Sequence, residues 1–350
     1  MNMTTNTLRK LASIQRIKAL EPIPNADAIL KATVLGWQVV VKKDEFQVGD
    51  LCVYCEIDSL MPEKPEFEFL KGQKMRIRTL RLRGQVSQGI CFPLEILPAE
   101  YRETQPLTEG LDVTDVLGIS KYEAPIPTQL SGKVKGHFPS FIPKTDETRV
   151  QVLQEALSAL AGTRCYVAEK LDGSSATYYL EANEESGVSE LNACSRNLNL
   201  LEEPGNTLWQ VARACQLEEK LKSQSRRLAL QAELIGPGIQ GNKYRLQKPE
   251  LYFFNAFDIE AYAFLDYTDF MALMQEMELK AVPILETDYT LEADIPSLVE
   301  KSIGVSVLNA QTRREGIVIR PLQEMRTLEN TLGRVSFKAI NPEFLLKYGE

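Results

Sequence analysis

From Ala12 to Leu97 the chain is a succession of short β-branched runs broken by turn-forming residues, with little helical periodicity. The runs Lys31 to Val41, Asp50 to Ile57, Met75 to Leu82 and Gly89 to Leu94 each read as strand. Pro22, Pro24, Asn25, Gly49, Pro62, Pro65 and Gly84 separate them. A small OB-like β-barrel is predicted for residues 1–115.

Residues 116–143 are rich in proline and glycine (Pro125, Pro127, Gly132, Gly136, Pro139, Pro143), which suits an extended connection between two domains. Beyond it the pattern changes. Thr145 and Asp146 can cap a helix over Val150 to Leu160, and further helices are expected at Thr207 to Lys222, Asp266 to Glu278 and Ile295 to Lys301. Strand-like runs alternate with them at Cys165 to Glu169, Ala176 to Leu180, Leu228 to Ile235, Leu251 to Ile259, Gly316 to Arg320 and Arg334 to Ala339. The fold class is α+β, with antiparallel sheets and flanking helices in a second domain spanning 144–350.

A chain of 350 residues with 44% hydrophobic content can bury two cores. It has no apolar segment of membrane-spanning length and no signal-peptide pattern, so an intracellular, cytoplasmic protein is expected. Six scattered cysteines do not form a disulfide framework. Cys52 and Cys55 make a CxxC, but inside a strand they face opposite ways, and His137 is the single histidine, so zinc is not expected. The net charge of -8 argues mildly against nucleic acid, yet residues 1–100 hold 14 Lys+Arg against 12 Asp+Glu, leaving 26 against 36 for the rest. The first part is locally basic.

The most informative motif is Lys170-Leu171-Asp172-Gly173, a strand running into a turn. Alone it reads equally well as a β-turn with a surface lysine. Five segments follow in order: Ser195-Arg196-Asn197, Ala232-Glu233-Leu234-Ile235-Gly236, Phe254-Asn255-Ala256-Phe257-Asp258-Ile259, Glu315-Gly316-Ile317-Val318-Ile319-Arg320 and Val335-Ser336-Phe337-Lys338. A lysine that attacks a nucleotide must be neutral, and only about one free lysine in two to three thousand is neutral at pH 7. Carboxylates alone raise its pKa, so a divalent cation held by Asp172, Glu233 and Glu315 is implied. Lys338, Arg196 and Arg320 are candidates to neutralise phosphate charge; Phe254 offers an apolar face for a base, with Ile317 and Val318 as walls opposite.

Two other signals carry less. Gly236-x-Gly238-x-x-Gly241 matches a dinucleotide fingerprint, but the proline-bearing segment to Pro249 is too short for the crossover helix that fingerprint requires. His137 reads as a loop residue. In the first domain, Lys74, Arg76, Arg78, Arg81 and Arg83 read as a phosphate-tracking strand face, the plain alternative being a charged edge strand.

The ordered set resembles the motifs of the covalent nucleotidyltransferase superfamily of ligases and capping enzymes. From about Leu8 to Gly349 the chain also resembles the Deinococcus- and Naegleria-type ATP-dependent RNA ligases, the fifth RNA ligase family. Ile23-Pro24-Asn25-Ala26-Asp27, Pro143-Lys144-Thr145-Asp146-Glu147-Thr148-Arg149 and Phe337-Lys338-Ala339-Ile340-Asn341 carry that likeness. It implies an OB domain before a nucleotidyltransferase (ATP-grasp-like ligase) domain, AMP transferred from ATP to Lys170, and two Mg or Mn ions. It places Arg149 and Glu169 in the nucleotide-binding set with Lys170, Arg196, Glu233, Phe254, Ile317, Arg320 and Lys338. It implies a nicked duplex with an RNA 3′-OH strand as substrate, and a monomer is expected. One departure is Ser336, where many superfamily members have a lysine. A DNA ligase or capping-type transferase is the alternative enzyme, and a non-catalytic end-binding protein the alternative of another class.

Overall fold

The computed structural model describes residues 10–122, 132–182, 188–327 and 333–349. Leu8, Pro125 and Pro127 lie outside the described residues. Two domains carry three main sheets.

In the first, five antiparallel strands run in the order Trp37–Lys42, Ala26–Val34, Ala12–Ile23, Leu51–Cys55, Ile90–Phe92. Ala12–Ile23 is long enough to pair with Leu51–Cys55 through its first half and Ala26–Val34 through its second. The expected single run from Lys31 to Val41 is instead two strands, because Leu35 at φ 54 and Gly36 turn the chain back on itself. Cys52 and Cys55 are both buried with free thiols.

The second domain packs a seven-stranded sheet against a five-stranded one. The former runs Val134–His137, Leu198–Leu200, Ser189–Cys194, Ser174–Ala182, Leu228–Ile235, Glu250–Asp258, Ala263–Phe264; the latter runs Thr148–Arg149, Phe337–Ile340, Gly316–Pro321, Arg164–Lys170, Ile284–Thr290. Only the pairing of Thr148–Arg149 with Phe337–Lys338 is parallel among these ladders. His137 therefore sits in an edge strand rather than a loop. Helices Thr207–Ala214, Leu217–Lys222 and Tyr267–Glu276 cover the outer face of the larger sheet, and Gln154–Leu160 and Ile295–Ser302 that of the smaller. The α+β architecture expected from the sequence is the one adopted.

Two helix expectations change. Thr207 to Lys222 breaks in two at Gln216, whose φ of 54 is left-handed. Val150 to Leu160 begins as a 3-10 turn, Val150–Val152, and its α-helix Gln154–Leu160 has no side-chain cap. Asp146 is drawn away by cations.

The domains share a core. Asn341 accepts from the Glu343 N–H and starts the last helix, Pro342–Tyr348, whose Phe344 and Leu345 are buried with the barrel residues Phe67, Leu70 and Ile77. Burying a side chain like Phe344 contributes about 1.5–3 kcal/mol, so docking is a substantial part of folding. At the barrel's other contact, the Gly36 N–H donates to the Gln151 carbonyl at 2.8 Å. A Cβ at Gly36 would lie 2.9 Å from Gln151 Cα, so only glycine permits that approach. Among the described residues no helix is long and apolar enough to cross a membrane.

Candidate active site

Lys170 ends its strand in register with Gly316, which brings the preceding residue, Glu315, to its ammonium: Nζ lies 2.6 Å from Glu315 Oε1. The turn at Asp172-Gly173 then leads into Ser174–Ala182, where Ser175 pairs with Glu233. A Cβ on Gly173 would fall on the Leu234 carbonyl and the Ile235 side chain, so glycine is what lets the turn close against the Glu233 strand. Lys170, Asp172, Glu233 and Glu315 are thereby gathered within electrostatic reach of one another, between strands of the two sheets.

The electrostatics of this group are one-sided. Burial opposes the charge on Lys170, but Glu315, Glu233 and Asp172 outweigh it and hold the ammonium above its ordinary pKa. Burial also pushes Glu233 up to about 8, against the pull of Lys170, and raises Glu315. Glu315 Oε2 is buried and has no hydrogen-bond partner among the described residues. Without an added positive charge, Lys170 is a protonated non-nucleophile.

Beside it stands a cationic group. Lys338 and Arg149 are register partners across the parallel ladder. Burial and the neighbouring Lys170 and Arg149 bring Lys338 down to about 8 despite Asp146. Asp146 accepts from Lys338 at 3.2 Å, Arg196 at 2.9 Å and Lys121 at 3.3 Å, joining residues from three parts of the chain. Lys121 was not legible in the sequence. Arg149 also reaches the barrel, donating to Asp58 at 3.0 Å and lying 5.6 Å from the Trp37 ring centroid.

Three assigned residues are engaged otherwise than expected. Ile317 is fully buried with Val167 and Phe337 in the core under the helices, because neighbours on a strand face opposite ways; Val318 and Arg320 take the cleft side. Glu169 likewise turns from Lys170, and its carboxylate accepts from the Val307 N–H at 2.8 Å. Arg320 is 2% exposed and donates to Ser336, Tyr166, the Phe254 carbonyl and Glu147. It is committed to protein groups and braces Phe254, which stays half-buried. Glu147 and Ser336 are thus structural partners of that arginine.

The basic run is not one strand face. Lys74 and Met75 have φ 55 and 60, and the strand begins only at Thr79. Arg76 is buried, donates to Asp58 at 2.7 Å and stacks on Tyr122 at 3.9 Å. Arg78 donates to the Gly349 carbonyl at 3.0 Å and Arg81 pairs with Glu343 at 2.7 Å. Arg78 and Arg81 staple the barrel to the C-terminal end of the chain, Arg76 is held by Asp58 within the barrel, and Lys74 and Arg83 remain exposed.

A barrel of OB type joined to a two-sheet domain with a strand-end lysine, three carboxylates and a cationic flank defines an OB–nucleotidyltransferase of ligase architecture. Family models agree: an OB-fold domain matches residues 11–94 and an RNA ligase model residues 163–340. Among solved structures, a Naegleria gruberi RNA ligase mutant with ATP and Mn is 37% identical, with a TM-score of 0.86 over 98% of this chain and 100% of that one. A second, with AMP and Mn, is 38% identical, with a TM-score of 0.85 over 96% and 98%. A third, with PPi, is 38% identical, with a TM-score of 0.85 over 97% and 98%. No curated protein matches by sequence search. The chain belongs to the RNA ligase family.

Proposed function

We propose that this RNA ligase uses ATP to seal 3′-OH/5′-phosphate nicks in duplexes whose 3′-OH strand is RNA, through AMP carried on Lys170. The observation that supports this most is the pairing of a half-buried lysine with a flank of cations suited to phosphate: Lys170 against Glu315 at 2.6 Å, beside Lys338 and Arg149. The similarity to ligases solved with ATP, AMP and PPi supports the choice of nucleotide.

In the first step Lys170 Nζ attacks the α-phosphorus; the P–N bond forms, the P–O bond to pyrophosphate breaks, and the Nζ proton is lost to solvent. Lys338, Arg149 and Arg196 neutralise the departing pyrophosphate. Phe254, braced by Arg320, supports the adenine by stacking. A 5′-phosphate oxygen next attacks the same phosphorus and frees Lys170. The 3′-OH then attacks the 5′-phosphate and AMP leaves.

Asp172, Glu233 and Glu315 fit Mg or Mn, being an all-oxygen set in which Glu315 Oε2 has no partner among the described residues. No three acidic, cysteine or histidine side chains among the described residues are spaced to ligate one ion directly, so waters would complete its shell. Bound there, the ion would supply positive charge that lowers the pKa of Lys170 and offsets charge on the α-phosphate. The reading takes one chain as the working unit, and its free cysteines suit the reducing cytoplasm.

The test is incubation with α-labelled ATP and Mg or Mn, then denaturing electrophoresis. An acid-labile label that Lys170→Ala abolishes is expected; a label that survives the substitution overturns the mechanism. Sealing of nicks with ribose but not deoxyribose at the 3′ end is expected to follow, and equal sealing of both would make this a ligase without RNA preference.

A further inference from the structure

Asp172 is clamped from two sides by consecutive residues of one loop. Its backbone N–H donates to the Tyr244 hydroxyl at 2.7 Å, and its Oδ2 is in direct contact with Lys243 Nζ. Both members of that ion pair are nearly sealed from solvent, with side chains 10% and 11% exposed. The Lys243 ammonium also lies 4.9 Å from the Tyr348 ring centroid and 5.4 Å from that of Phe344, on the last helix. Its carbonyl accepts from Thr312 Oγ1 at 2.6 Å, in the segment leading to Glu315. The loop therefore ties Asp172, the approach to Glu315 and the last helix to one another.

We propose that Lys243 is a positioning residue for nucleotidyl transfer: it holds one oxygen of Asp172 so that the other faces the cation site shared with Glu233 and Glu315. The inference rests on the reading of those carboxylates as the cation's holders. A buried ion pair confined by two aromatic faces has few alternative arrangements, and the carboxylate it holds inherits that rigidity. Charge gives the idea a testable sign. Lys243 is a positive charge beside a cation site, so removing it favours cation binding electrostatically, while the freed Asp172 loses its aim. A residue that merely stabilised the fold would move binding and rate down together.

The experiment compares wild type, Lys243→Met and Lys243→Arg. Three readouts are needed: thermal melting, binding of Mn(II) without nucleotide from the electron paramagnetic resonance of free ion, and single-turnover labelling of Lys170 at saturating ATP and Mn. For Lys243→Met we expect Mn(II) bound at least as tightly as in wild type and labelling slowed at least tenfold; Lys243→Arg recovers most of the rate. An unchanged rate overturns the proposal, as does parallel loss of Mn(II) binding and rate. If Lys243→Met melts below the assay temperature, Lys243→Gln carries the same readouts, and failure of both to fold assigns Lys243 to stability alone. Absence of label on the wild type would instead refute the adenylylation reading itself.

Discussion

Arg149 of the catalytic domain donates to the carboxylate of Asp58 in the barrel, at 3.0 Å. Asp58 is held at φ 70 by its own backbone, its N–H on the Ile77 carbonyl and its carbonyl receiving the Tyr122 N–H. The barrel therefore sets the direction of an arginine that lies beside Lys338. Asp58→Ala is expected to raise the KM for ATP in lysine adenylylation about tenfold, equivalent to about 1.4 kcal/mol, the scale of a hydrogen bond to a charged group. Asp58→Ala also unpairs the buried Arg76, so it is assayed below its own melting temperature; there, sealing of a nick already carrying AMP needs no pyrophosphate contact and should be unchanged, and loss of both activities would refute the assignment.

The base platform gives a second expectation. Arg320 braces Phe254 through its carbonyl at 2.8 Å, and Phe254 is only half-buried. Phe254→Leu keeps apolar volume but removes the flat face, and base stacking on an aromatic contributes about 1–3 kcal/mol. The KM for ATP should rise about tenfold with melting shifted little. An unchanged KM places adenine elsewhere.

Glu147 carries a pH signature. Burial opposes its charge, but Arg320 and Lys338 bring its pKa down from 4.5 to about 2. Between those values the unfolded state binds the extra proton, so its stabilisation is present above about pH 4.5 and is lost as pH falls through 2. Glu147→Gln should cost about 3 kcal/mol at pH 7, the scale for leaving a buried charge unpaired. The gap from wild type should narrow as urea melts are taken down through that window; a gap independent of pH would contradict the ion pair.

The basic run divides by burial. Arg76→Ala removes a buried partner of Asp58 and should cost about 3 kcal/mol of stability, whereas Arg81→Ala breaks an exposed pair with Glu343 worth less than about 1 kcal/mol. Chemical denaturation reads both. Equal losses would refute this division.

Much of the candidate site was legible in the sequence. Lys170, Asp172, Glu233, Glu315 and Lys338 stand at strand ends or turns whose local patterns are strong, and the structure brings them to one cleft. Strand alternation was also legible, and applying it to Glu315-Gly316-Ile317-Val318 would have separated Ile317 from Val318. Charge was the least legible property. Arg76, Arg78, Arg81 and Arg320 looked like phosphate ligands because a sequence lists charges without their partners. Glu147, Glu343 and the Gly349 carbonyl, which occupy three of them, lie far away along the chain, and Asp58 lies 18 residues before Arg76 on a separate element.

The sequence by itself determined the class of fold and singled out Lys170 as the candidate nucleophile, because β-branched runs, turn residues and a Lys-x-Asp-Gly turn act over a few neighbouring positions. Only the tertiary structure decided which cations are free to meet a phosphate, that the barrel orients Arg149, and that Lys243 grips Asp172. Those outcomes depend on burial and on pairings across long stretches of chain, where desolvation commits a charge to whichever opposite charge folding brings beside it.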